Sequence, residues 1–177
     1  MSNEYLEKFK KLQEQSTFRG QQWFGKRQQL VEEYSWAVPN EEVISYLAEF
    51  DELYEVGAGS GYWAKCIEEA GGSVYAFDKD SSKRWFPVHP DTHWDYEDSI
   101  EDSPVLMVWP PANDGMAADV ASFNPSHILY VGEQRGGCTA DARFFDQLDK
   151  YYGLVAKMDI PSYAGVHDQF YHYTRKV

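Results

Sequence analysis

Residues 53–62, LYEVGAGSGY, run from a short apolar stretch straight into glycines at 57, 59 and 61, and a helical pattern follows over 61–70. Glycine takes positive φ at no steric cost, so closely spaced glycines after an apolar run let a strand turn sharply into a helix. A strand–turn–helix unit returns its chain to the same sheet in parallel. The segment therefore constrains the chain to an α/β architecture more firmly than any other.

The downstream pattern keeps the alternation. Apolar runs stand at SVYAF (73–77), VLMVW (105–109) and HILYV (127–131), with a short helix expected near 115–123 and another from Thr139 through about Lys150. Thr139 or Asp141 should stand near the cap of that last helix. Such runs are apolar throughout, as strands buried on both faces are, so they predict a doubly wound, mostly parallel sheet. The tail, VAKMDI (155–160) and QFYHYTRK (169–176), has no helix between its strands and should pair as an antiparallel hairpin. Upstream, residues 3–33 place Tyr5, Leu6, Phe9, Leu12, Leu30 and Val31 among Lys, Glu and Gln, an amphipathic helix broken near Gly20 or Gly25. Pro39-Asn40 then caps a helix with Val43, Leu47 and Phe50 along one face. Tyr34, Trp36, Pro39 and Asn40 are expected to be core packing.

Counted from Glu55, the glycines spell E-x-G-x-G-x-G. The dinucleotide fingerprint G-x-G-x-x-G would need glycine where Tyr62 stands. Together with the closing hairpin, this resembles motif I and the sheet of the class I S-adenosylmethionine (SAM) dependent methyltransferases, over about residues 41–177. The resemblance implies an α/β Rossmann-like, doubly wound core over 41–177, with a seven-stranded or reduced sheet and a C-terminal antiparallel hairpin. Residues 1–40 add a helical N-terminal extension, all within a single domain of residues 1–177.

The resemblance also implies SAM as cofactor. Gly57, Gly59 and Gly61 would face its methionine part, Glu55 would orient the loop or its water, and Asp78, closing the second run at VYAFD, would hold the ribose. A carboxylate can accept from both ribose hydroxyls at once. NAD is the minority alternative, since an acidic residue after the second strand serves a ribose there too. The adenine should lie beyond the third strand, near Trp94, Asp95 and Tyr96, with Asp98 competing with Asp95. Only twenty-six residues separate Asp78 from Val105, where a full methyltransferase places a helix, a strand and a helix. Shortened helices are expected there, with HWDYED (93–98) as the third strand.

On the reaction side, VLMVWPPAND resembles motif IV of amino-methyltransferases, Asp/Asn/Ser-Pro-Pro-aromatic. Trp109 replaces its side-chain acceptor and Ala112 its aromatic, while Asn113 or Asp114 could reach the same space. Trp109 is also expected against the cofactor. After the fifth strand, YVGEQRGGCTAD places Glu133 as the first choice of general base, with Arg135 beside it. The competing reading has Glu133 and Arg135 pairing to order the loop. Cys138 is expected to be buried rather than nucleophilic, and His167 near Asp168 to make a loop hydrogen bond. The function so implied is a SAM-dependent methyltransferase acting on a small molecule or a protein side chain. A SAM-binding regulatory or degraded enzyme is the alternative, and an NAD(P)-dependent oxidoreductase a third reading.

A net charge of −13 disfavours nucleic acid as the acceptor, because affinity for a polyphosphate rests on neutralising it. Lys8, Lys10, Lys11, Arg19, Lys26 and Arg27 cluster near the N-terminus and read as a solvated helix face of mixed charge. Two cysteines are too few for a disulfide framework, and the histidines show no metal-ligand spacing. With no signal-peptide pattern and no membrane span, a cytoplasmic setting is expected.

Overall fold

The structure is a computed structural model that describes residues 3–15, 21–80 and 85–177. Its sheet grows from the strand–glycine–helix unit. Strand β1 (Leu53–Val56) turns into α4 (Tyr62–Glu69), and β2 (Val74–Phe77) returns beside it in parallel. Strands β3 (Pro104–Val108) and β4 (His127–Gly132) extend the parallel array on the other side of β1. The C-terminal β5 (Tyr152–Asp159) and β6 (Gln169–Arg175) form the expected hairpin, and β6 inserts antiparallel to β4. The order is β2-β1-β3-β4-β6-β5, so the sheet has the reduced, six-stranded form.

Period-two alternation divides each central strand between two cores. Leu106, Leu129 and Val131 face a core shared with α1 (Glu4–Gln15), α2 (Gln21–Glu33), α3 (Glu41–Leu47) and α4. Val105, Met107, Ile128 and Tyr130 face the opposite core, which α6 (Met116–Ser122) and α7 (Ala142–Tyr151) cover. Helices therefore lie on both faces, as the apolar runs require.

The caps explain two helix starts. Asn40 accepts the N–H of Val43 at 3.0 Å, and Asp141 that of Phe144 at 2.9 Å. Asp141, not Thr139, is the cap of α7. Thr139 instead takes the N–H of Glu133 at 2.8 Å. Gly25 lies inside α2 and does not break it; the expectations at Arg19 and Gly20 fall outside the described residues.

The third strand differs from expectation. HWDYED forms a 3-10 turn over His93–Tyr96 followed by α5 (Glu97–Ile100). Thr92 and Asp95 form a capping box, the Asp95 carboxylate accepting both the N–H and the hydroxyl of Thr92 at 2.8 Å. That reciprocal cap starts a helix whatever the strand propensity of Trp94 and Tyr96. On the edge of β2, the place of a third strand is taken by one parallel bridge between Phe77 and His89.

Candidate functional site

In open α/β sheets, ligands bind outside the carboxyl ends of the strands where the strand order reverses. Here that point lies at the ends of β1, β2 and β3. A cleft of about 640 Å³ opens there, walled by Val56, Phe77, Asp78, Val108 and Trp109. Behind the glycine loop it adjoins a cavity of about 160 Å³ that reaches Glu32, Tyr34, Ser35 and Glu55. Trp36, Gly57, Gly59, Asp80 and Val108 line both spaces.

The loop owes its shape to its glycines. Gly57, Gly59 and Gly61 stand at φ of 69°, 56° and 76°, in the left-handed region costly to other residues. Gly61 is also pressed from outside. A Cβ there would lie 2.9 Å from both Phe86 Cβ and Val88 Cγ2. Asp78 ties the loop to β2, taking the N–H of Gly59 at 2.8 Å on one oxygen and that of Asp80 at 2.7 Å on the other. Both oxygens retain a lone pair, so the carboxylate can still accept from hydroxyls in the cleft.

Glu55 lies in β1, one residue before its end, at 1% exposure. Its Oε2 has no hydrogen-bond partner. Burial pushes the acid up to about 8, and the nearby charge of Asp78 adds to that rise.

The acceptor side is aromatic. Trp109 follows β3 with φ 55°, a left-handed conformation that is an outlier for so bulky a residue and marks a site held by its surroundings. Its ring stacks on Trp36 with centroids 4.8 Å apart and planes 8° apart. Its indole N–H donates to Asp168 at 2.7 Å. Asp168 is buried, and burial raises its acid to about 6 against the opposing Trp109 hydrogen bond. Trp36 is 46% exposed and not core packing, whereas Tyr34 and Pro39 are buried as expected. Across the cleft, the half-exposed ring of Trp94 rests edge-on against Phe123.

The structure thus brings Glu55, Gly57, Gly59, Asp78, Trp109 and Asp114 to one continuous site, with Gly61 shaping the turn behind it. Three expected residues stand elsewhere. Asp95 is exposed and spends its carboxylate on the capping box, and Asp98 is exposed in α5. Glu133 lies outside the cleft lining. Its oxygens accept the N–H groups of Cys138 at 2.7 Å and His167 at 2.9 Å. Burial works to raise its acid, but these bonds outweigh burial and hold it below the usual range, which makes it a poor proton acceptor. The loop-ordering reading is nearer the structure, with different partners: Arg135 pairs with Asp146 and Asp149, each at 2.7 Å. Cys138 is exposed rather than buried, and the Glu133 charge raises its thiol, opposite to what a nucleophile needs. His167 does make the loop hydrogen bond. The sequence pattern does not reveal the Trp36–Trp109 stack or the Trp109–Asp168 hydrogen bond, because each joins residues far apart along the chain.

No protein-family model and no curated protein matches the sequence. Solved structures do match it. The magnesium protoporphyrin IX methyltransferase of Synechocystis PCC 6803, solved with bound SAM, has a TM-score of 0.54 at 12% identity over 97% of this chain and 91% of that one. The 1,6-didemethyltoxoflavin N1-methyltransferase of Burkholderia thailandensis gives 0.52 at 14% identity, over 92% and 93%. The N-methyltransferase NodS of Bradyrhizobium japonicum gives 0.52 at 11% identity, over 77% and 94%. At such identities the likeness is one of architecture: the chain has the fold of the class I SAM-dependent methyltransferases.

Proposed function

We propose that the protein is a SAM-dependent methyltransferase acting on a small molecule or a protein side chain. The observation that carries this reading is the charge around the glycine loop. Asp78 and Asp80 line the cleft beside it and Glu32 the smaller cavity, and Lys79 is the one lysine or arginine among the described lining residues. A pyrophosphate would meet repulsion there; a sulfonium and an ammonium would meet attraction. The choice of SAM over NAD rests on that sign.

The residues present fit the group. Asp78 would hold the ribose, Trp94 would stack the adenine, and the smaller cavity would take the amino-acid tail. Bound SAM would supply an electrophilic methyl group. This chain's residues would align the acceptor, which is most of what an in-line displacement asks of a protein. The stacked Trp36–Trp109 pair would form the acceptor platform, held by Asp168 from behind. Asp114, exposed in the cleft lining beyond Pro110-Pro111, takes the base role that Glu133 is badly placed to fill. The neighbours include methyltransferases of magnesium protoporphyrin IX and of 1,6-didemethyltoxoflavin, which supports a small-molecule acceptor. The proposal includes a cytoplasmic setting, which the two free cysteines support; no helix among the described residues is long and apolar enough to cross a membrane.

Calorimetric titration should show binding of SAM and S-adenosylhomocysteine and none of NAD. The reverse pattern would sink the cofactor assignment. Incubation of cell extract with radiolabelled SAM should then label the metabolite or protein fraction. Label confined to RNA would overturn the acceptor class, and no label at all would overturn transfer.

A further inference from the structure

Trp36 stays 46% exposed although Trp109 covers one of its faces. A large apolar ring left in water gains by turning inward, but the chain around this one is pinned. The carbonyls of its neighbours are each taken by a side chain from elsewhere in the fold: Glu33 by Trp85 at 2.7 Å, Tyr34 by Ser60, Ser35 by Tyr5 at 2.8 Å and Ala37 by Trp63 at 3.1 Å. Trp109 is pinned too, through its indole bond to Asp168. The stack is therefore ordered before any ligand arrives, and a flat ring is the shape that extends it. Its place separates it from the nucleoside. Asp78 follows β2 and Trp109 follows β3, with β1 between, so their strands lie about 10 Å apart. A ribose at Asp78 leaves the stack to the acceptor.

Charge narrows the choice of ring. Asp78, Asp80, Asp91, Asp114 and Asp119 line the cleft, and Lys79 is the one lysine or arginine among its described lining residues. The Asp168 carboxylate, accepting the Trp109 N–H, also polarises that indole toward electron-rich, and electron-rich ring faces attract cations. We propose that the acceptor is a flat, positively charged nitrogen heteroaromatic with an N–H or O–H to methylate, and that Trp36 is the residue that selects it. The inference rests on the SAM reading above and names its substrate class. Two cations must then meet, the acceptor and a sulfonium, and the acidic lining offsets their repulsion. The balance is closed: the acceptor's nitrogen or oxygen bonds the methyl carbon, the C–S bond breaks with its electron pair left on sulfur, and the acceptor's proton passes through Asp114 to water.

The test titrates the protein, saturated with S-adenosylhomocysteine, with N-methylquinolinium, quinoline and quinoline-2-carboxylate at pH 7.5, which present one ring in three charges. The cation should bind about tenfold more tightly than the neutral ring, and the anion should not bind. Trp36→Leu should weaken the cation about tenfold, and Trp36→Phe, which keeps a ring, should weaken it less. Both variants should bind S-adenosylhomocysteine as the native chain does. If Trp36→Leu does not fold, Trp36→Phe and the three probes on the native chain carry the test. No binding of the cation, equal binding of cation and neutral ring, preference for the anion, or cation binding unchanged in a folded Trp36→Leu overturns the acceptor class and leaves the SAM reading intact. A loss of S-adenosylhomocysteine affinity in Trp36→Leu assigns the ring to the cofactor and overturns the proposal as well. Failure of S-adenosylhomocysteine to bind the native chain overturns both readings.

Discussion

Gly61 and Asp78 make separable demands on the glycine loop. At Gly61 an alanine would have to hold φ 76° and push against Phe86 and Val88 together. Gly61→Ala should therefore destabilise the fold by about 2–3 kcal/mol, the combined scale of left-handed strain and overpacking, read as a lower urea midpoint at unchanged m. Asp78→Asn is a different kind of change. One oxygen remains to accept from Gly59 or Asp80, but an amide NH2 now opposes the other N–H. SAM affinity should fall by about 1–3 kcal/mol in calorimetry, and an unchanged affinity would remove Asp78 from the site. Both residues were legible in the sequence because their roles are local, set by a strand end and a turn. Glu133 and Asp95 were not. Glu133 is expected from sequence as the base and Asp95 at the adenine, yet Glu133 accepts the N–H groups of Cys138 and His167 and Asp95 the N–H and hydroxyl of Thr92, so both are spent on ordering the chain around them.

At the level of elements, the C-terminal hairpin and the helical stand-in for the third strand show where pattern reading holds and where it stops. Strands β5 and β6 were readable because two apolar runs with no helix between them have little choice but to pair. The 93–98 segment had two options, strand or helix start, and the Thr92–Asp95 capping box decided between them. Strand β6 carries a further consequence. His172 is 5% exposed, bonded to Tyr46 at 2.7 Å through Nδ1 and to His127 at 2.9 Å through Nε2, and burial lowers it to about 4, with His127 adding to the effect. A histidine depressed on folding binds its proton more readily in the unfolded chain. Its contribution is whole above about pH 6.5 and is lost as pH falls toward 4, a loss of about 3 kcal/mol. Carboxylates titrate in the same window, so the measurement is a difference. Urea midpoints at pH 6.5 and pH 4.5 should fall further for the native chain than for His172→Gln, and equal falls would mean His172 protonates freely where it sits.

Over the whole molecule, the N-terminal helices are built into the core that the sheet creates. Tyr5 in α1 is fully buried, stacks on Tyr34 at 4.8 Å, meets Tyr62 of α4 edge-on, and shares a hydroxyl contact of 3.0 Å with Tyr163 from the loop before β6. Tyr34 in turn stacks on Trp85 at 5.1 Å and lines the smaller cavity, while its carbonyl takes the hydroxyl of Ser60 in the glycine loop. One aromatic stack thus runs from α1 to the ligand pocket. The segment that reads from sequence as an extension over 1–40 therefore has no core of its own to keep if the sheet unfolds, and the sheet loses one wall of its pocket if α1 leaves. We expect the chain to unfold as one unit. Tyr5→Ala should cost about 3–5 kcal/mol, the range for emptying a buried aromatic site. It should do so in a single transition, with far-ultraviolet and near-ultraviolet circular dichroism coinciding and the stabilisation by S-adenosylhomocysteine weakened in parallel. An early transition that removes only helical signal, with ligand stabilisation of the remainder intact, would make residues 1–40 an appendage and overturn the single domain expected over 1–177.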